Sequence, residues 1–182
     1  EAPWAGPRLA ACLTAKVGDR ASQADVARLA DGLHVVPEFL GNRAPFADPD
    51  ARAIIAGLDM DTSVHSLVRL YVAGICGLGY GLRQIIDAQK DKGVEVATIV
   101  VSGGAGQNEM VRQLLADATG MEVAAPLTEE PVLLGSAMLG ATAAGHFSDL
   151  TSAMAAMSAM GNTYAPSGGD MKLYHLKRYQ AF

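Results

Sequence analysis

The sequence predicts an α/β domain in which a mixed sheet is flanked by helices, on three observations. Between Ala97 and Ala144 the chain reads as strand, glycine turn, helix, strand and helix, the order of a right-handed crossover unit. A longer apolar stretch upstream has the spacing of a helix. Half of the 182 residues are hydrophobic and 18% are charged, so residues 1–182 can bury a sizeable core as a single domain.

The crossover unit has well-marked elements. Ala97–Val101 is apolar and β-branched without alternation, which is typical of a strand covered on both faces. Gln107–Ala118 carries apolar residues at helical spacing, and Gly120 ends that helix. A second short strand is predicted at Glu122–Ala125, followed by a helix from Pro131 to Ala144.

A long helix is predicted upstream, beginning at Thr62 or Ser63 and running to about Lys92, where Gly93 supplies a left-handed stop. Glycines repeat along this helix so that one face lacks side chains and another element can pack closely against it. These glycines are Gly74, Gly77 and Gly81.

The remaining segments are less regular. Ser22–Ala30 is predicted to form a short helix that opens on a capping box, and Val35–Leu58 to alternate strands with structured loops. Ser148 is expected to cap one more helix, with an apolar stripe in the core at Phe147, Leu150, Met154 and Met157. The tail after Gly161 has no clear period.

Composition argues against several classes of protein. A net charge of -5 and scattered basic residues make nucleic acid a poor partner. The most apolar stretch, Leu70–Leu82, is shorter than the roughly 20 residues that span a bilayer, so it is predicted to be a buried helix and no membrane partner is expected. The amino terminus has no secretory signal and no initiator Met, which indicates a fragment.

The cysteines and histidines are isolated from one another in sequence. Cys12 and Cys76 fit neither a disulfide framework nor a zinc spacing, which favours a reducing cytoplasm. The histidines, at His34, His65, His146 and His175, likewise predict no metal site.

The stretch VVSGGAGQNEMVRQLLAD, Val100 to Asp117, carries the chemistry. A strand runs into Gly103, Gly104 and Gly106 and then directly into a helix. Glycines leave backbone N–H groups bare at the positive end of that helix, where a flat or phosphorylated ligand can lie. Nucleotide binding is one interpretation, and a tight turn without a ligand is the other.

Two specific nucleotide motifs can be weighed against this stretch. A P-loop requires Gly-Lys-Ser/Thr at the helix start, where this chain has Gln107-Asn108-Glu109, so a P-loop is excluded. A Rossmann site requires a further glycine in the first helical turn, which is missing, although Glu122 could serve as the ribose carboxylate. A dinucleotide-binding oxidoreductase therefore stays open.

Three ordered segments resemble the FGGY carbohydrate kinases. VSGGAGQNEMVRQLLADATGMEV is similar to the adenosine motif of that family, PEFLGNRAPFADPDARAIIAGL to its upstream loop and strand, and EEPVLLGSAMLGATAAGHF to its downstream helix. The resemblance covers about 36–161, and the first 35 residues match nothing that can be placed. The details GNRAP, TGMEV and LLGSAMLGA are closer to pentulose kinases, D-ribulose kinases in particular, than to glycerol kinases.

The resemblance implies a ribonuclease H-like (actin-like ATPase) domain, the carboxy-terminal, ATP-binding half of a two-domain enzyme. Gly104 and Ala105 would lie against the adenine and ribose, Asn108 would offer its amide to the base or ribose edge, and Gly103 would shape the turn. The amino-terminal, sugar-binding domain is expected as a partner of this chain. An exposed apolar patch is expected where it packs.

The implied reaction is transfer of the γ-phosphoryl group of ATP, with Mg2+, to a pentulose. D-ribulose is the preferred candidate for this substrate. L-ribulose, xylulose, ribitol and glycerol stay open as substrates. A homodimer stays open as the oligomeric state, and a non-catalytic actin-like module stays open as an alternative function. The family's catalytic base, an Asp, and its sugar-binding residues belong to segments upstream of the matched motifs. No catalytic residue is therefore assigned here, and the isolated chain is predicted to be inactive.

Some charged residues have competing interpretations. Arg43 either faces the interdomain cleft, as the resemblance implies, or forms a surface ion pair. Asp48 and Asp50 are predicted to form a turn rather than a catalytic pair. Glu129 and Glu130, just before a helix start, are predicted to favour its dipole rather than to bind a ligand.

Overall fold

The computed structural model describes residues 6–18, 25–103, 108–128 and 130–182. Its helices are α1 (Gly6–Gly18), α2 (Val64–Lys90), α3 (Glu109–Thr119), α4 (Pro131–Ala143), α5 (Leu150–Met157) and α6 (Gly169–Ala181), with a 3-10 helix at Val26–Ala30. Its strands are β1 (His34–Val36), β2 (Ile54–Ala56), β3 (Thr98–Val100), β4 (Glu122–Pro126) and β5 (Met160–Tyr164).

The crossover unit is present as predicted. β3 and β4 are parallel, with Ile99 opposite Val123, and α3 connects them. β5 joins the far side of β4 in the antiparallel sense, so the sheet is mixed and has the order β3-β4-β5. The β5 strand was not predicted, because the tail has no alternation of apolar and polar residues to mark it.

The long helix α2 has the predicted ends. The Ser63 hydroxyl accepts hydrogen bonds from the backbone N–H groups of His65 and Ser66, at 3.2 and 3.4 Å, and so caps the first turn. The helix ends at Lys90, two residues earlier than predicted, and Gly93 follows with a φ of +81°. The cap and the stop were both readable because each has a distinctive residue type.

Close packing against α2 involves fewer of the predicted glycines than expected. A Cβ at Gly77 would overlap the carbonyl oxygen of Val35 in β1, so this glycine lets the strand lie against the helix. Gly74 has open space beside it, and Gly81 meets nothing closer than 3.9 Å. Gly79, which the sequence did not single out, lets α3 approach, since its Cβ would lie 2.6 Å from that of Ala118.

The expectation that β3 is covered on both faces is wrong for the described residues. Ile99 packs against the core, but Thr98 and Val100 are exposed, Val100 by 58%. Successive side chains of a strand point to opposite faces, and within the described residues only one face is covered. Unbroken apolar character therefore identified the strand and misjudged its surroundings.

The capping and packing of α5 also differ from the prediction. Asp149, not Ser148, caps the helix by accepting the backbone N–H of Ser152 at 2.7 Å. Leu150 and Met154 are exposed, by 40% and 51%, so the apolar stripe is not core. Ala153 is buried instead, where α5 packs against α4.

The structure differs from the sequence-based prediction in one segment near each end of the chain. Ser22 lies outside the described residues, and the predicted short helix is a 3-10 helix that begins after Asp25. Helix α6, which was not predicted, buries a face made of Met171, His175 and Arg178. Among the helices that the structure describes, none combines the length and hydropathy that crossing a membrane would require.

Candidate nucleotide-binding site

The glycine turn joins the carboxyl end of β3 to the amino end of α3. Gly103 has a φ of +78°, and a Cβ placed on it would have open space within 4 Å, so conformation and not crowding calls for glycine there. Gly103 is exposed, with its backbone accessible to a ligand. Gly104 and Ala105, the residues predicted to contact adenine and ribose, lie outside the described residues.

Asn108 caps α3, and both ends of its amide have protein partners. The side-chain oxygen Oδ1 accepts the backbone N–H of Val111 at 3.2 Å. The amide nitrogen Nδ2 donates to the Thr14 hydroxyl of α1 at 3.3 Å. The cap holds the first turn of α3 at the end of the glycine turn, and the predicted contact of Asn108 with a base or ribose stays a prediction.

A second loop ends at the same edge of the sheet. Because β3 and β4 are parallel, the loop after Pro126 emerges beside the glycine turn, at the edge where ligands bind in open α/β sheets. Glu130 occupies the N-cap position of α4 without a side-chain capping bond, so its predicted role is limited to the helix dipole. Glu129 lies outside the described residues.

The Rossmann alternative fails on the position of Glu122. This residue begins β4, at the amino end of the strand, and its carboxylate accepts the Thr98 hydroxyl at 3.2 Å. The glycine turn lies at the opposite edge of the sheet, beyond Val100. Glu122 therefore cannot serve as the ribose carboxylate of a nucleotide in that turn.

The loop between β1 and β2 is organised by a buried asparagine that the sequence did not single out. Asn42, 7% exposed, donates to Glu38 at 2.8 Å and accepts the backbone N–H of Phe46 at 3.0 Å. Its backbone N–H bonds to the carbonyl of Asp48 at 2.7 Å. The only sequence signal for this role was the Gly-Asn pair in a proline-rich loop, which marks a turn and not a partner.

The charged residues of the same loop have different roles, since Asp48 forms a turn and Arg43 lies at the surface. The Asp48 carboxylate accepts the backbone N–H of Asp50 at 2.8 Å, which is the predicted turn. Arg43 is exposed, and no carboxylate of the described residues forms an ion pair with it. The surface ion pair expected as one alternative for Arg43 is therefore absent from the described part of the chain.

The most perturbed titratable groups lie in the core and not at the turn. His175 of α6 is 1% exposed, and its Nδ1 bonds to the Tyr80 hydroxyl of α2 at 2.9 Å. Burial lowers the pKa of His175 to about 4, partly offset by the negative charge of Asp117 and reinforced by Arg178 and Arg83. Burial also raises the pKa of the Cys76 thiol to about 12.

His175 should make folding sensitive to acid. Between about pH 6.5 and 4 the imidazole binds a proton in the unfolded chain but not in the folded chain. The contribution of His175 to the free energy of unfolding is therefore fully present above pH 6.5 and decreases as the pH falls through this window. The expected loss is on the order of 3 kcal/mol. Urea unfolding at several pH values should show a shallower loss for H175Q, while H146Q, at an exposed position, should retain the wild-type slope. An unchanged slope for H175Q would contradict the assignment.

An apolar groove of about 510 Å3 lies along α2. Its walls include Leu13 of α1, Val35 of β1, Tyr71 and Leu78 of α2, and Phe39. Phe39 and Leu78 are exposed by 67% and 55%. A concave apolar surface of this kind is characteristic of an interaction site. An exposed apolar patch was expected on this chain where a partner domain packs.

The family model for the FGGY family of carbohydrate kinases, C-terminal domain, matches residues 7–144 of this chain. The chain belongs to the FGGY family of carbohydrate kinases. The match begins well before Val36, so α1 and the 3-10 helix are part of the family's domain, although the resemblance in sequence motifs had left them unplaced.

Curated FGGY relatives extend over most of the chain. It is 39% identical over 150 residues to the FGGY carbohydrate kinase domain-containing protein of Homo sapiens, covering 82% of this chain and 27% of that protein. It is 38% identical over 123 residues to D-ribulokinase YDR109C of Saccharomyces cerevisiae, covering 67% and 17%. A glycerol kinase of Shewanella amazonensis is 36% identical over 121 residues, covering 66% and 24%. The chain thus spans about a quarter of its first relatives' length.

Solved structures of FGGY sugar kinases share the fold. Xylulose kinase from Lactobacillus acidophilus superposes with a TM-score of 0.68 at 22% identity, covering 92% of this chain and 32% of the kinase. The predicted actin-like ATPase fold is therefore confirmed. The relatives and solved structures carry the names of several different kinases, so family membership leaves the substrate open.

Proposed function

We propose that this chain supplies the adenosine-binding half of a kinase that phosphorylates a pentulose, with D-ribulose as the first candidate, using ATP and Mg2+. The observation that carries the nucleotide site is the exposed backbone of Gly103, at the carboxyl end of β3, together with the capped amino end of α3 at Asn108. Helix amino termini attract negative charge and offer unpaired N–H groups. The turn can therefore receive a nucleotide without any basic side chain.

The chain's own part in the reaction is positioning. In this proposal 103–105 form the floor on which the adenosine rests, and Asn108 holds the start of α3 against that floor. ATP supplies the phosphoryl group and Mg2+ neutralises its charge, held mainly by ATP and the amino-terminal domain. Catalysis in such an enzyme comes from orientation and charge stabilisation. The base and the sugar contacts belong to that other domain.

Specificity for ribulose rests on the motif details and on the resemblance to a D-ribulokinase. That relative is 38% identical to this chain, against 36% for a glycerol kinase. The margin is small, so the sugar is decided by a panel of D-ribulose, L-ribulose, xylulose, ribitol and glycerol on the polypeptide that carries both domains. Preference for D-ribulose supports the proposal, and preference for glycerol overturns it.

The apolar groove is proposed as the face against which the rest of the kinase packs. Its exposed aromatic and aliphatic walls, including Phe39, Ile55 and Leu78, need a partner of similar character. In a longer polypeptide that partner is the amino-terminal domain, and a homodimer is the alternative. Sedimentation of the isolated chain separates them, since a stable dimer there would favour the second copy.

A cytoplasmic location belongs to the same proposal. Cys76 is buried as a free thiol and Cys12 is exposed, an arrangement that suits a reducing compartment. Fractionation of cells that express the protein would test this location. Recovery outside the cytoplasm would contradict it.

Binding of a fluorescent ATP analogue to the isolated chain tests the nucleotide site. G103V should weaken binding about tenfold, because a β-branched residue is strained at a φ of +78° and its side chain would cover the bare backbone. G93V is the matched control, since Gly93 has a φ of +81° and open space but precedes the amino end of β3.

Equal effects of G103V and G93V would mean that strain alone is responsible and would contradict a ligand site. Tighter binding of NAD than of ATP would favour an oxidoreductase. A coupled assay for ADP release with ribulose should stay at background for the isolated chain. Turnover there would contradict the assignment of the catalytic base to the other domain.

A further inference from the structure

A chain of hydrogen bonds connects the N-cap of α3 to α1 and α2. Asn108 Nδ2 donates to Thr14 Oγ1 at 3.3 Å, and Thr14 Oγ1 lies 3.1 Å from the Tyr71 hydroxyl. These residues stand on three different elements, separated by 94 and 57 positions in sequence. The contact therefore exists only when all three elements are packed.

The arrangement fixes the orientation of the Asn108 amide. Its oxygen must face the Val111 N–H, so its nitrogen must face Thr14. A hydroxyl has one proton and two lone pairs, so Thr14 can accept from Asn108 and bond to Tyr71 at the same time. A rotation of the amide would break both of its bonds together.

We propose that Thr14 and Tyr71 are positioning residues that hold Asn108 in the orientation that caps α3, at the end of that helix where the proposed nucleotide site lies. This inference rests on the proposed nucleotide site. Neither residue belongs to the glycine motif, and Thr14 lies in the first 35 residues, which no sequence motif placed. Tyr71 also lines the apolar groove, so the groove is connected to Asn108 through Tyr71 and Thr14.

Removal of each hydroxyl has a defined expected effect. T14V keeps the shape of the side chain but leaves Asn108 Nδ2 without its acceptor, which frees the amide to rotate. We expect nucleotide affinity to fall about five- to tenfold, or 1.0–1.4 kcal/mol by RT ln of that ratio, roughly. Y71F removes only the outer hydroxyl and should cost about twofold. T14S keeps the hydroxyl and should restore wild-type affinity.

The test needs a readout that general destabilisation would not move. The Val111 N–H belongs to the first turn of α3, where its partner is the Asn108 side chain. Hydrogen exchange by NMR should therefore accelerate at Val111 in T14V, while exchange elsewhere in α3, at Leu115 for example, stays unchanged. T163V, at an exposed position in β5, is the matched control and should alter neither exchange nor affinity.

The outcomes separate this inference from the proposed function. Faster exchange at Val111 together with weaker ATP-analogue binding in T14V, both rescued in T14S, supports the inference. Unchanged exchange and affinity in T14V overturn it, and so does uniformly faster exchange over the whole domain. If the wild-type chain binds no ATP analogue but T14V still frees Val111, the proposed function fails while the anchoring of Asn108 stands.

Discussion

Substitution of Gly77 by alanine should lower the free energy of unfolding by about 3 kcal/mol or more, enough to unfold a marginal domain. The added methyl group would overlap the carbonyl oxygen of Val35, and the next nearest atom is the carbonyl carbon of the same residue, at 3.2 Å. Both are backbone atoms of β1, so no side-chain rotation can relieve the overlap. The strand would have to move away from α2.

Gly74 provides the matched control for this prediction. It lies on the same helix, at a position where an added Cβ has nothing within 4 Å. G74A should therefore stabilise the chain by about 0.5–1 kcal/mol through helix propensity alone. Urea denaturation followed by circular dichroism measures both variants. Changes of the same sign would show that the approach of β1 to α2 is not the cause.

Replacement of Arg178 by methionine should cost about 3 kcal/mol of stability. The guanidinium is 6% exposed and donates to the carbonyl oxygens of Ala30, at 3.0 Å, and Leu33, at 2.7 Å. Its loss leaves the Leu33 carbonyl without a donor, at roughly 1–3 kcal/mol, and leaves the Ala30 carbonyl with only the backbone N–H of Leu33 as its partner. Both carbonyls belong to the segment around the 3-10 helix, so α6 would then be hydrogen-bonded to that segment through the Tyr174 hydroxyl, which donates to Ala27 and Asp31.

Two further variants test the geometry of this contact. R178K keeps the charge, but a single ammonium group cannot reproduce the forked pair of bonds, so an intermediate loss is expected. K177M, next to it on the exposed side of α6, should stay within about 0.5 kcal/mol of wild type. Thermal unfolding of the three variants gives the order. If R178M is as stable as K177M, the two carbonyls do not depend on the guanidinium.

The crossover unit and the long helix could be predicted because local signals agree with the final packing. Ser63, Gly120 and Pro131 each mark an element end through a preference of the backbone itself, and the structure places element ends at these three positions, while Gly93 follows the end of α2 by three residues. Such preferences do not depend on distant residues. These parts of the fold could therefore be predicted without knowing which other elements they pack against.

Helix α6 could not be predicted because its buried face is polar. Met171, His175 and Arg178 follow helical spacing, but two of the three are residues that normally lie at the surface. Their burial depends on Tyr80, Ala30 and Leu33, far away in sequence. The spacing alone was the available signal, and apolar periodicity does not detect it.

The turn at Gly103 and the polar residue at Asn108 could be singled out from the sequence, whereas the contact that supports Asn108 could not, and nucleotide binding there stays a prediction. Gly103 and Asn108 were readable because glycines and a polar residue at a strand-to-helix junction have few other uses. Thr14 carries no signal of its own, since a threonine within a helix is commonplace. Its role arises only when α1 packs beside Asn108. Contacts between distant elements are set by the tertiary arrangement, which local patterns do not encode.

The bond from Arg178 to Ala30 spans 148 residues, and this distance has a consequence for synthesis. A ribosome makes the chain from its amino end at about 5–20 residues per second, so the early carbonyls wait on the order of ten seconds for their donor. Until α6 has emerged, the 3-10 helix has no guanidinium to close over it. The nascent domain should therefore stay susceptible to proteases through almost the whole of its translation.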